Sequence, residues 1–117
     1  MTLESTLEVV LNRSGYNVFH YDRLNSLTLP RIVYQRIDKV TSRTLTARSL
    51  DTDRFQITVF TNTYTEGSLI ADEVVRLLDL NTTDFMLSYF DGRTENHEVE
   101  LKLYQVTLDF IISLRPA

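Results

Sequence analysis

The 117-residue sequence predicts an α+β fold: a mostly antiparallel mixed sheet of about four to five strands, two helices packed on one face, in the order α-β-β-β-α-β-β. Three observations carry this. Two stretches bear a single apolar stripe at helical spacing, Leu3, Leu7, Val10 and Leu11 in one and Ile70, Val74, Leu77 and Leu78 in the other. Two others alternate at period two, setting Phe55, Ile57 and Val59, and Tyr104, Val106, Leu108, Phe110 and Ile112, opposite Gln56, Thr58, Gln105, Thr107 and Asp109. Finally, the chain has no internal repeat and no linker, and its length supports one core, so residues 1–117 read as a single domain.

Each element follows from its residues. Leu3 to Asn12 is a short amphipathic helix with Glu4 and Glu8 early, as the helix dipole favours, and it stops at Ser14-Gly15. Tyr16 to Tyr21 is a short strand, and Pro30 opens a long one over Arg31–Val40, at a position where a strand tolerates proline. The polar, Thr- and Ser-rich stretch that follows reads as a long hairpin connection or an extended arm, placed at residues 39–52. Arg54–Phe60 is the cleanest strand. Thr63-Tyr64-Thr65-Glu66 matches a capping box, so a second helix begins at about Tyr64 and ends before Asn81-Thr82-Thr83.

Phe85–Phe90 is strand-like, and Asp91-Gly92 is a tight-turn pair. The polar run Arg93–Glu98 is expected as a loop, with a tight hairpin as the alternative. Val99–Leu114 is a final strand whose apolar phase flips. A bulge or bend near Leu103-Tyr104 explains the flip, as would burial on both sides at one end.

Composition narrows the chemistry. The absence of cysteine excludes disulfides, thiolate metal sites and thiol nucleophiles. Three glycines cannot form a glycine-rich phosphate cradle, and a net charge of −4 disfavours phosphate neutralisation as the main task. Glu4 and Glu8 stand where a secretory signal needs a basic patch and an apolar run, so the expectation is a mature cytosolic chain.

No catalytic set assembles from the pattern. His20 and His97 lie in separate segments without the convergent ligands zinc needs, and Ser68 lacks a nucleophile elbow. Asp51, Asp53, Glu95, Glu98 and Glu100 fall in water-facing stretches where each simply ionises. The segment Arg31–Arg54 carries six basic and three acidic residues, but its arm lacks aromatic side chains for base stacking, so a protein partner or a lumen is the milder inference. The expectations are no enzyme, no cofactor, no metal and no small-molecule substrate.

The order LPRIVYQRID, polar arm, RFQITVF, NTYTEGSLIADEVVRLL and YQVTLDFII resembles the tail completion, or tail terminator, proteins of long-tailed bacteriophages and prophages, which join tail to head. The resemblance spans Tyr16 to Leu114 and rests on the element pattern with Pro30, Tyr34, Gln35, Phe55, Gln56, Ala71, Asp109 and Phe110. It implies a virion structural protein, made in the bacterial host cytoplasm, that forms a ring, typically a hexamer, on the head-proximal end of the tail tube. Such a ring ends tube polymerisation and offers the head-joining surface.

The implied partners are further copies of itself, the major tail tube protein and a head-completion or neck protein, with DNA only in passage and no membrane. Within that picture Arg43, Leu45, Arg48 and Leu50 of the arm are expected to contact a neighbouring subunit or the tube. Asp91, Glu95, Glu98 and Glu100 are candidates to face the lumen. Gly67 and the acidic run 91–100 match no feature of the family pattern. A head-completion or neck connector, and a non-viral small binding module, remain the alternatives.

Overall fold

A computed structural model of the chain describes residues 3–20, 29–41, 51–81, 83–85, 87–98, 100 and 102–113. Its elements are α1 (Leu3–Asn12), β1 (Asn17–His20), β2 (Arg31–Thr41), β3 (Asp51–Thr61), α2 (Tyr64–Leu78), β4 (Leu87–Glu98) and β5 (Leu103–Ser113), in the order the sequence predicts. They form one five-stranded sheet ordered β1-β2-β3-β5-β4, with β1 parallel to β2 and every other pairing antiparallel.

The apolar stripes decide which face is covered. Leu7, Val10 and Leu11 of α1 and Ile70, Ala71, Val74 and Leu78 of α2 are wholly buried, together with Ile32, Tyr34, Phe55, Ile57, Val59, Val106, Leu108, Phe110 and Ile112 of the strands. These strand residues share one parity and therefore one side of the sheet. α2 packs along β3, β5 and β4, while α1 packs against β1 and α2. Burying one large side chain of this kind contributes about 1.5–3 kcal/mol, so the two helices and this face are the main source of stability. Tyr34 enters the core completely because its hydroxyl donates to the Glu8 carboxylate of α1 at 3.0 Å.

The helix ends are satisfied locally. α1 closes on Gly15, whose φ of 83° is the left-handed geometry that a residue with a Cβ resists. Arg13 just beyond it grips Asp84 with both terminal nitrogens, at 2.9 and 3.1 Å. Thr63 caps α2, its hydroxyl accepting from the Glu66 amide at 3.3 Å. At the far end Ser88 donates its hydroxyl to the Leu78 carbonyl at 2.6 Å, and the Phe90 amide donates to Asp79 at 3.0 Å, tying the helix C-terminus to the start of β4.

Gly67 now has a role. It is buried in the first turns of α2, where an added Cβ would stand 2.9 Å from Thr61 Oγ1 and 3.0 Å from the Tyr104 ring. Glycine lets the helix approach β3 and β5 this closely, and the close seat outweighs its poor helix propensity.

Three sequence expectations need correction. Asp91-Gly92 is not a turn: β4 runs unbroken from Leu87 to Glu98, and Asp91 is the extra residue of a β-bulge, since Phe90 pairs with Phe110 but Gly92 with Asp109. Accordingly Arg93–Glu98 is strand rather than loop. It reads as loop because β4 is an edge strand lying at the margin of the helix layer, where neither face demands apolar side chains. The final strand starts at Leu103, not Val99. Residues 99–102 lie between the paired Glu98 and Leu103, so the phase flip marks the change of strand and not a bulge within one.

Both ends of the expected arm are strand, and residues 42–50 lie outside the described residues. Lys39–Thr41 and Asp51–Thr52 belong to the β2–β3 ladder, which closes at Thr41 opposite Asp51. Asp53 also differs from its expected solvated state. It is 3% exposed and accepts an ion pair from Arg36 at 3.1 Å, beside a bulge that turns Ile37 outward.

Candidate functional site

The uncovered side of the sheet is the candidate site. Because side chains alternate along a strand, each covered residue has a neighbour on the opposite face, and strand register aligns these into rows. One row is Gln35, Gln56, Asp109 and Gly92; the next is Val33, Thr58, Thr107 and Thr94; the third is Arg31, Phe60, Gln105 and Asn96. Gln35, Gln56, Thr58, Gln105, Thr107 and Asp109 are half-buried, flanked by one another along the rows. Short hydroxyls and amides on a twisted sheet offer many donors and acceptors and little charge, which suits a broad contact with another protein surface.

Two arginines organise this face. Arg54 of β3 reaches over β5 to Asp91 at 2.8 Å. The β4 bulge is what makes that pair: the extra residue shifts the strand's parity, so Asp91 meets Arg54 from the open side. Arg31 sits nearer the other edge, its guanidinium 4.5 Å from the centre of the Phe60 ring and the residue only 8% exposed. Its Nε is buried without a hydrogen-bond partner, and burial lowers its pKa from the ordinary arginine value.

The covered side of β4 is held differently. Arg93 donates to Glu95 at 2.7 Å and reaches α2 at Asp72 (3.2 Å) and Ser68 (3.3 Å). This holds the Glu95 carboxyl below its usual pKa, first through the Arg93 hydrogen bond and then through the Tyr104 hydroxyl. Burial, first, and Glu95, second, push the Tyr104 phenol up. Ser68 thus accepts from a guanidinium, and among the described residues no base bonds it. His97 packs against Tyr104 and His20 against Tyr34, with ring centroids 5.8 and 5.1 Å apart. Among the described residues, no three His, Asp or Glu side chains converge as a metal ion would require.

The four lumen candidates therefore divide. Asp91 and Glu98 project from the open face, Glu95 from the covered face beside Arg93, and Glu100 stands in the β4–β5 connection, all four exposed. The arm candidates Arg43, Leu45, Arg48 and Leu50 lie outside the described residues. Arg31, Phe60 and Arg54 are the additions the structure makes. The parity of Arg31-Val33-Gln35 in the sequence marks the open face, but the stacking on Phe60 depends on a cross-strand register that local sequence does not carry. Among the described residues no helix is long and apolar enough to cross a membrane.

No known protein family matches the sequence, and no curated protein matches it. A solved structure does share the fold: a chain from the "Virion of native gene transfer agent (GTA) particle" superimposes with a TM-score of 0.75 at 13% identity, covering 97% of this chain and 95% of that one.

Proposed function

We propose that the chain is a structural virion protein that forms a ring on the head-proximal end of a phage tail tube, ends tube polymerisation there and presents the head-joining surface. The observation that carries this is end-to-end correspondence with a chain of the gene transfer agent virion, 97% of one covering 95% of the other. Almost the whole architecture is shared, which supports a role as a virion structural protein. The element pattern that resembles tail terminators points the same way, and so does a broad polar sheet face.

In this reading the partners are further copies of the chain, the tail tube protein and a neck protein, and DNA only passes. A ring that grips phosphates would slow that passage through each fixed basic contact, and the net charge of −4 suits a lumen that does not. The arm residues Arg43, Leu45, Arg48 and Leu50 are proposed to reach a neighbouring subunit or the tube.

Binding preference tests the assignment. Immobilised protein is expected to retain purified tail-tube protein and tubes assembled from it, and to ignore portal-side head complexes. Retention of the portal side alone would assign it to the neck, and retention of neither would remove it from the particle.

A further inference from the structure

The two edges of the sheet are unlike: β1 ends it with 4 residues and β4 with 12. The start of β4 is already occupied. The Ser88 carbonyl accepts from the Leu80 amide at 2.7 Å and the Phe90 amide donates to the Asp79 carboxylate at 3.0 Å, so the end of α2 takes the outward backbone groups up to the bulge at Asp91. Ser88 and Phe90 stand opposite Ile112 and Phe110 of β5. Past the bulge Arg93, Glu95 and His97 stand opposite Leu108, Val106 and Tyr104, which share that parity, so their N–H and C=O groups also point away from the sheet. These residues are exposed, and among the described residues no backbone partner takes those groups. Charged side chains normally blunt such an edge, but Arg93 is drawn back to Asp72 and Ser68 of α2, and Glu95 to Arg93.

β1 matches this stretch in level, direction and backbone phase. Followed through the ladders, Asn17, Val18, Phe19 and His20 stand level with Asn96, Glu95, Thr94 and Arg93. Direction reverses at each step from β2 to β3, β5 and β4, while β1 runs with β2, so β1 and β4 run oppositely. Carried back across β5, β3 and β2, the alternation turns the Ile32 backbone toward β1. A parallel partner then bonds it to Asn17 and Phe19 and directs the Val18 N–H and C=O outward, as those of Glu95 are directed at the far edge. None of the four β1 residues is buried. Copies related by rotation about an axis along the strands keep both level and direction, so β1 of one copy arrives at residues 93–96 of the next.

We infer that the two edges join between copies of this chain: β1 of one copy adds antiparallel to residues 93–96 of β4 in the next, and the sheet continues around the ring. The inference rests on the ring reading proposed above and names the strand pairing that closes each interface. Val18 and Glu95 exchange two backbone hydrogen bonds, while Asn17 meets Asn96 and Phe19 meets Thr94 as close side-chain pairs on the open face. The contact is head-to-tail, with a different edge on each side, which is the kind that closes into a ring. The bulge and the end of α2 fix its register, because the added strand cannot slide toward Ser88.

The chain has no cysteine, so the double substitution Asn17→Cys with Asn96→Cys, at two exposed positions, tests the pairing directly. Within one copy these residues lie at opposite edges of the sheet, about 19 Å apart at ~4.8 Å per strand, too far for a disulfide. Between copies they form a non-hydrogen-bonded pair with Cα atoms about 4.5 Å apart, within disulfide range. Mild oxidation, alone and on tubes assembled from tail-tube protein, is expected to give a ladder of covalent multimers on a denaturing gel, and each single substitution to stay monomeric. Val18→Pro removes an outward donor without taking a bond from the β1–β2 ladder. It is expected to melt near the native chain yet to associate about tenfold more weakly in sedimentation velocity.

Native rings together with a double substitution that stays monomeric on oxidation would overturn the edge pairing and leave the ring itself standing, as would Val18→Pro rings as stable as native ones. A covalent dimer from Asn96→Cys alone would overturn it in favour of two β4 edges meeting about a two-fold axis. A native chain that never associates, even on tubes, would remove both the pairing and the ring.

Discussion

On the helix-covered face Phe55, Ile57, Val59, Val106, Leu108 and Phe110 are wholly buried, while one residue along the same strands, on the other face, Gln56, Thr58, Gln105, Thr107 and Asp109 stay partly exposed. The two faces share a backbone and a register, so the contrast belongs to the side chains. The covered face is complete: its ring and methyl groups meet α1 and α2, and the polar groups that enter it, such as the Tyr34 and Ser88 hydroxyls, find acceptors at 3.0 and 2.6 Å. The open face carries amides, hydroxyls and one buried guanidinium whose Nε has no hydrogen-bond partner among the described residues. Folding covers the first face with two helices and leaves the second open.

Substitutions on the two faces should therefore separate stability from assembly. The largest loss is expected from Phe110→Ala, which empties a wholly buried site and should cost about 3–5 kcal/mol in a chemical denaturation curve. A cost below that of Thr107→Ala would break the contrast. Gly67→Ala comes next. The new methyl would press on Thr61 and Tyr104, and overpacking of about 1–3 kcal/mol should exceed the ~1 kcal/mol gained by removing a helical glycine. A net fall in melting temperature is the expected reading.

Asp53→Asn removes the buried anion at the base of the β2–β3 ladder extension and should cost about 1–3 kcal/mol, tempered because Arg36 can still turn toward water. Limited proteolysis should then cut first beyond Arg36 and Asp53. On the open face Thr107→Ala should change stability by no more than ~0.5 kcal/mol while reducing retention on tail tubes.

The smallest effect is acid sensitivity. Asp84 is held below the usual carboxylate range first by its hydrogen bond from Arg13 and then by Asn81, so it binds its proton less readily folded than unfolded. Its contribution is full above the unfolded carboxylate pKa and disappears as pH falls through the lower folded value. Melting curves against pH should show Asp84→Asn flattened in that acidic window and little changed at neutrality.

What the sequence discloses follows the same division. The covered face is legible because its residues repeat at 2 and 3.6 positions: both helices, their starts at Leu3 and Tyr64 and the element order all come from periodicity and caps. β4 past Phe90 is illegible for the reason that makes it an edge. Arg93, Glu95 and His97 face the margin of α2 and Thr94, Asn96 and Glu98 the open side, so no apolar repeat survives. The bulge at Asp91 looks like a turn because Asp-Gly serves both, and only pairing with β5 distinguishes them.

Asp53 was unreadable as a buried ion because its partner Arg36 sits across a ladder, 17 positions away. Arg31 is the clearest case. Its parity is visible in sequence, but its burial over Phe60 is a property of the assembled sheet.

The central claim is best tested by electron microscopy of lysates from the parent phage or prophage with an early stop codon in this gene. The account predicts unattached tails of uncontrolled length beside filled heads. Intact particles with tails of normal length would contradict it.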